Sequence, residues 1–208
     1  MHIRTWITGV ALLAAFSLPV RGETEITPFL GYRFANNVAL RSDATTTTDT
    51  LKFSDSSSFG ILINGDIDPY GRQYQLYYSH QDTRASVGQP ALFSGISQFD
   101  VAIDRLQFGG LYFPGGVSSL GFIAGTLGIT RMSPDAAGLE TDYQPSISLG
   151  GGAKLPLGQH LLLRFDLRGI YTALHTNAAI FCSGGCTARV DSHGFFQMET
   201  AVGLGFRF

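Results

Sequence analysis

Phe196-Gln197-Met198-Glu199-Thr200-Ala201-Val202-Gly203-Leu204-Gly205-Phe206-Arg207-Phe208 decides the reading of this chain. Phe196, Met198, Val202, Leu204, Phe206 and Phe208 fall on one parity. Gln197, Glu199, Ala201, Gly203, Gly205 and Arg207 fall on the other. A repeat of two residues is the period of a β-strand, so one face of this segment is apolar and the other polar or small. Leu161 to Tyr171 repeats the pattern, with Leu161, Leu163, Phe165, Leu167 and Tyr171 against Arg164, Asp166 and Arg168. Pairing the two segments antiparallel with apolar faces matched puts Leu163 opposite Leu204, Phe165 opposite Val202 and Arg168 opposite Glu199. That register predicts an ion pair between Arg168 and Glu199.

Composition says where such strands belong. The 208 residues are 44% hydrophobic and only 14% charged, with 26 glycines and a formal charge of −2; a soluble surface ordinarily carries about 25% charged residues. With so little positive charge, nucleic acid is not expected as a partner. Residues 1–22 read as a secretory signal, with His2 and Arg4 before an apolar run from Trp6 to Leu18 and small residues Val20 and Gly22 before the cut. Beyond it no stretch is long enough to cross a bilayer as a helix. A membrane-like composition without spanning helices points to a closed barrel, because hydrocarbon forces every backbone group to pair within the protein.

Eight segments of the right length alternate: 25–35, 57–67, 72–82, 101–113, 118–130, 143–155, 160–172 and 195–208. The links alternate too. Asp68-Pro69-Tyr70-Gly71, Pro114-Gly115-Gly116-Val117 and Pro156-Leu157-Gly158-Gln159 are short turns, expected on the periplasmic side. Residues 36–56, 83–100, 131–142 and 173–194 are long and expected outside, which leaves both mature termini periplasmic. The expected fold is all-β, an eight-stranded antiparallel up-and-down transmembrane barrel over residues 23–208. The fifth segment is ambiguous: Leu120 and Phe122 lie on one parity, Ile123, Leu127 and Ile129 on the other. A bulge or an apolar lumen patch would each explain it.

The inward parity collects a polar lumen set: Arg33, Asp66, Gln75, Arg105, Lys154, Arg164, Asp166, Arg168, Glu199 and Arg207, with Asn64, Gln73 and Gln107. An eight-stranded barrel is just wide enough for side chains to fill it. Mutual neutralisation in a hydrogen-bonded plug is therefore expected, with a narrow channel or a binding site at the barrel mouth for a small or hydrophobic solute as the alternative. Inward Gly150 and Gly152 are expected to leave room for Arg164 and Asp166. Cys182 and Cys186, in an exported chain, are expected to form a disulfide across Ser183-Gly184-Gly185. No phosphate loop, Ser-His-acid order or metal motif appears, so no cofactor and no metal are expected.

The eight alternating segments, the opening Ile26-Thr27-Pro28-Phe29-Leu30-Gly31-Tyr32-Arg33-Phe34 and the closing Gly203-Leu204-Gly205-Phe206-Arg207-Phe208 resemble the small OmpA/OmpX-type outer-membrane β-barrels of Gram-negative bacteria. The resemblance implies that Phe206 and Phe208 belong to a terminal signal read by the barrel-assembly machinery and periplasmic chaperones. It also implies an integral outer-membrane monomer surrounded by outer-membrane lipid and lipopolysaccharide. The chain stops at Phe208, so wall anchoring through a following domain, of the OmpA kind, is not expected. His175-Thr176-Asn177-Ala178 resembles the His-x-Ser-Asn stretch of outer-membrane lipid A deacylases, but Asn177 stands where the serine belongs. Ser192 lies across from His175 in the register above. A non-enzymatic barrel contributing to envelope structure or to surface contacts through its loops is the expectation.

Overall fold

The computed structural model describes residues 23–35, 38–42, 48–88, 97–116, 118–136, 139–174, 188–190 and 194–208. Residues 1–22, Cys182, Cys186, His175 and Ser192 lie outside them. So do the expectations of a signal segment, a disulfide and a histidine–serine pair. Eight long strands form the wall: β1 (Thr24–Ala35), β4 (Ser56–Asp68), β5 (Arg72–Ser86), β6 (Gln98–Tyr112), β7 (Gly121–Asp135), β8 (Asp142–Pro156), β9 (Leu161–Ala173) and β11 (Gly194–Arg207). Three short strands, β2 (Val38–Ser42), β3 (Thr48–Phe53) and β10 (Ala188–Val190), lie in the long connections.

Every wall strand pairs antiparallel with its neighbours, and β1 pairs with both β4 and β11, so the sheet closes into an eight-stranded barrel. At the seam Thr24 and Phe208 exchange both backbone hydrogen bonds, at 2.9 and 3.0 Å. β9 and β11 pair with Leu163 opposite Leu204, Phe165 opposite Val202 and Arg168 opposite Glu199. The short turns are shaped by Gly71 and Gly116, whose φ of 86° and 76° is the left-handed region where a side chain is strained.

The outer face of the wall is an apolar belt. Leu30, Leu127 and Leu149 are each 68% exposed, an arrangement that water penalises and hydrocarbon does not. Aromatic residues flank the belt at both edges, with Tyr32, Phe34, Tyr78 and Tyr143 toward the long loops and Tyr70, Tyr112 and Phe208 toward the short turns. A belt bounded this way is a bilayer-facing surface.

The alternation inverts at the loop-side edge of the belt. In β6 the outward residues are Leu106 and Phe108 within the belt but Asp104 and Asp100 above it. The inward residues change from Gln107 and Arg105 to Ile103, Val101 and Phe99. No register shift accompanies the change. The strands therefore run past the belt, and β5, β6 and β7 extend further toward the loops than their alternation alone suggests. Above the belt the outside carries a row of His80, Asp104 and Arg131, with His80 Nδ1 2.7 Å and Arg131 Nη1 3.0 Å from Asp104. β7 keeps one parity throughout. Its ambiguity comes from Phe122, which points inward with Ala124 and packs against Leu111 and Phe113 as an apolar patch at the turn end of the lumen.

Candidate functional site

The lumen is filled in layers. Nearest the loops, Leu51, Phe53, Ala85, Val87, Phe99, Val101, Ile103, Met132, Leu174 and Phe195 form a buried apolar cluster. Leu51 and Phe53 enter it from β3, which reaches the wall by pairing Lys52 and Phe53 with β5. Leu51, Phe53, Ala85, Val87 and Phe99 fall in the stretches 36–56 and 83–100 expected as long loops, and the structure differs because the wall strands run past the belt and their inward parity turns apolar there.

Below it, Arg33 and Glu199 organise the middle layer. Arg33 Nε donates to Glu199 at 2.5 Å, Nη1 to Gln81 at 3.1 Å, and Nη2 to Ser79 at 2.5 Å and Tyr77 at 2.8 Å. Glu199 also accepts from the hydroxyls of Tyr77 at 2.8 Å and Ser58 at 2.9 Å. Four strands, β1, β4, β5 and β11, thus meet on one ion pair in the barrel interior. The pair expected between Arg168 and Glu199 does not form. Their backbones are opposite, but the Arg168 guanidinium lies 4.5 Å over the Tyr77 ring. It donates instead to Thr126 at 3.2 Å, Ser148 at 3.1 Å and Gln75 at 3.0 Å, with Asp166 3.5 Å away. Gln107 accepts from Thr126 and Ser148 and donates to Ser146, tying β6, β7 and β8 together.

Toward the turns a second charged group gathers around Glu25. Lys154 Nζ lies 2.8 Å from Glu25 and 2.9 Å from Gln73; Arg164 is 3.6 Å and Arg207 3.8 Å from the same carboxylate. Arg164 bridges onward to Asp166 at 2.6 Å and to Asn64 at 2.8 Å. Its guanidinium stacks 4.7 Å over Phe122, a cation–π contact in a desolvated place. Asp66, half-buried, accepts from Gln73 at 2.7 Å, and Arg207 at the rim also meets Glu23 at 3.2 Å. A recess of about 260 Å³, lined in part by Asp66, Gln73, Lys154 and Arg207, opens at this end. Gly150 and Gly152 do not make room for Arg164 and Asp166 as expected: a Cβ at Gly150 would meet the Leu167 carbonyl oxygen at 2.4 Å, and one at Gly152 the Phe165 carbonyl oxygen at 1.9 Å and the Phe122 ring at 2.8 Å.

Glu25, Gln81 and Ser58 complete these networks and were absent from the expected set; Gln197 lies inward on the polar parity read for the last strand, and Tyr77 lies inward on the parity of Gln73 and Gln75, as the period of two predicts. Glu25 shares the parity of Arg33 four turns of the pleat away, a signal the sequence carried. Arg105 stands apart: fully buried, its Nη2 donates to Gln197, while Nε and Nη1 have no partner among the described residues. Phe206 and Phe208 lie on the outer face, exposed and away from the lumen.

The barrel architecture recurs among solved structures. The outer membrane protein OprG from Pseudomonas aeruginosa superposes with a TM-score of 0.57 at 13% identity, over 90% of this chain and 96% of that one. The chain has the fold of the small OmpA/OmpX-type outer-membrane β-barrels. AlkL, an outer membrane protein solved in DMPC lipid bilayers, gives a TM-score of 0.51 at 12% identity, covering 90% of both chains. No family model and no curated protein matches the sequence. At these identities the likeness is one of architecture, and the lumen must be read from its own residues.

Proposed function

We propose that this barrel is a non-enzymatic integral protein of the bacterial outer membrane, with both ends of its mature chain in the periplasm and its lumen closed. The observation that carries the reading is the succession of buried side chains across the lumen. Arg33, Arg105 and Arg164 are fully buried, and the apolar cluster closes the lumen above them. Buried charges held by several strands at once resist the rearrangement a conducting path needs. The chain then contributes its belt to the envelope and its long loops to whatever meets the cell surface. The alternative, a small solute bound at the barrel mouth, is favoured by one observation. The recess by Lys154 and Arg207 is open and polar, and it faces the turn end and not the loops.

Membrane fractionation and gel mobility test the location and the barrel together. The mature chain is expected in the outer-membrane fraction, with faster migration before boiling than after, since a closed antiparallel barrel survives detergent until heated. Recovery in the soluble fraction or a mobility unchanged by boiling would reject the reading.

A further inference from the structure

Charge is unevenly matched inside the wall. Each of Arg33, Lys154, Arg164 and Arg168 has a carboxylate within 4 Å. Arg105 has none among the described residues, and two of its guanidinium nitrogens are buried without any acceptor. Leaving such a cation dry and unpaired costs more than burying almost any other group.

The neighbours of Arg105 sharpen the chemistry. Directly across from it on β7 is Thr130, inward and fully buried. Among the described residues the Thr130 hydroxyl has only that of Thr172 on β9 as a partner, at 3.5 Å, the outer limit of a hydrogen bond. Ile103, Met132 and Leu174, the next inward residues of these three strands, belong to the apolar cluster above. The level therefore presents two guanidinium nitrogens, with three N–H groups between them, and two weakly engaged hydroxyls beneath an apolar ceiling. The nearest carboxylate network, at Glu199, is already committed to Arg33, Tyr77 and Ser58. Surplus donors with one net positive charge, screened from loop-side water, select a small anion over water or a cation.

We propose that Arg105, with the hydroxyls of Thr130 and Thr172, holds a small monovalent anion of the halide class in the middle of the lumen. The anion neutralises the one internal guanidinium that the described carboxylates leave unmatched, and its charge-assisted bonds tie β6 to β7 and β9. This rests on the closed-lumen reading, and conductance of the same preparation tests that reading separately. A non-conducting barrel without the anion would overturn the site alone.

Bromide is the probe. Crystals of the full mature chain grown with bromide in place of chloride should show an anomalous peak within hydrogen-bond distance of Arg105 Nε or Nη1. Density without anomalous signal, or bromide on the outer surface only, would overturn the proposal. In solution, the melting temperature of the detergent-solubilised barrel should rise and saturate as bromide replaces gluconate at fixed ionic strength. Arg105→Gln should abolish that dependence. Should that variant not assemble, Thr130→Val, which keeps the guanidinium, should shift the half-saturating bromide concentration upward at least several-fold. A melting temperature that follows bromide linearly and equally in wild type and Thr130→Val would contradict it.

Discussion

Arg33 and Glu199 stand directly opposite one another on β1 and β11, the strands whose pairing closes the barrel, and their side chains meet inside at 2.5 Å. The seam is thus held twice, by the backbone ladder in the wall and by a buried ion pair in the lumen. Tyr77, from a strand two places around the wall, bonds both partners and fixes their geometry. An ion pair so enclosed contributes little by existing but costs a great deal to break.

Glu199→Ala should destabilise the barrel by about 3 to 5 kcal/mol, because it leaves the Arg33 guanidinium buried without a carboxylate. Replacing both residues, Arg33→Met with Glu199→Leu, should recover much of the loss. A double-mutant cycle by urea unfolding should give a large coupling for Arg33 with Glu199 and a small one for Arg168 with Glu199. The reverse ranking would place the pair on the wrong arginine.

Gly152 should tolerate no large side chain. A Cβ there meets Phe122 Cζ at 2.8 Å and the Phe165 carbonyl oxygen at 1.9 Å. Gly152→Leu should cost at least about 1 to 3 kcal/mol by overpacking, and Phe122→Ala in the same chain should restore only part, since the carbonyl remains. Folding yield and urea midpoint in detergent measure both.

The wall was legible in the sequence because lipid on one side and side-chain packing on the other enforce a strict period of two. That period also fixed the register of β9 on β11. The contents of the lumen were less legible. Parity says that Arg33, Arg168 and Glu199 all point inward, but which arginine takes the carboxylate depends on Tyr77, Ser79 and Gln81 reaching across from β5. The apolar cluster of Val101, Ile103 and Phe99 escaped for a different reason. Once a strand leaves the bilayer, the solvent outside turns polar and the apolar parity moves inward, so one strand carries two opposite patterns.

Deleting Phe208 should lower assembly into membranes more than a change such as Thr46→Ala. The deletion removes both backbone hydrogen bonds to Thr24 at the seam, about 1 kcal/mol each, and one aromatic residue from the belt edge. Membrane yield measured for the two variants side by side checks this, and equal yields would count against it.

The turn after β4 should loosen in acid. Desolvation pushes the Asp68 carboxyl up, but the Tyr70 amide and the Arg72 guanidinium outweigh it and hold its pKa below the ordinary value of 3.8. A carboxyl lowered in the folded state stabilises above its unfolded pKa, and the contribution fades as pH falls through the folded one. Amide exchange at Tyr70 should therefore quicken below pH 3.8 relative to neighbouring turns, and Asp68→Asn should remove the difference. Protection that stays level across that range would contradict the assignment.

Planar-bilayer recording of the purified, refolded wild-type barrel tests the closed lumen most directly. The packed charge networks and the apolar cluster predict no stable conductance steps at either polarity, with heat-modifiable mobility showing that the inserted protein is folded. Reproducible, ohmic single-channel steps from the same folded preparation would contradict the account and make the lumen a pore.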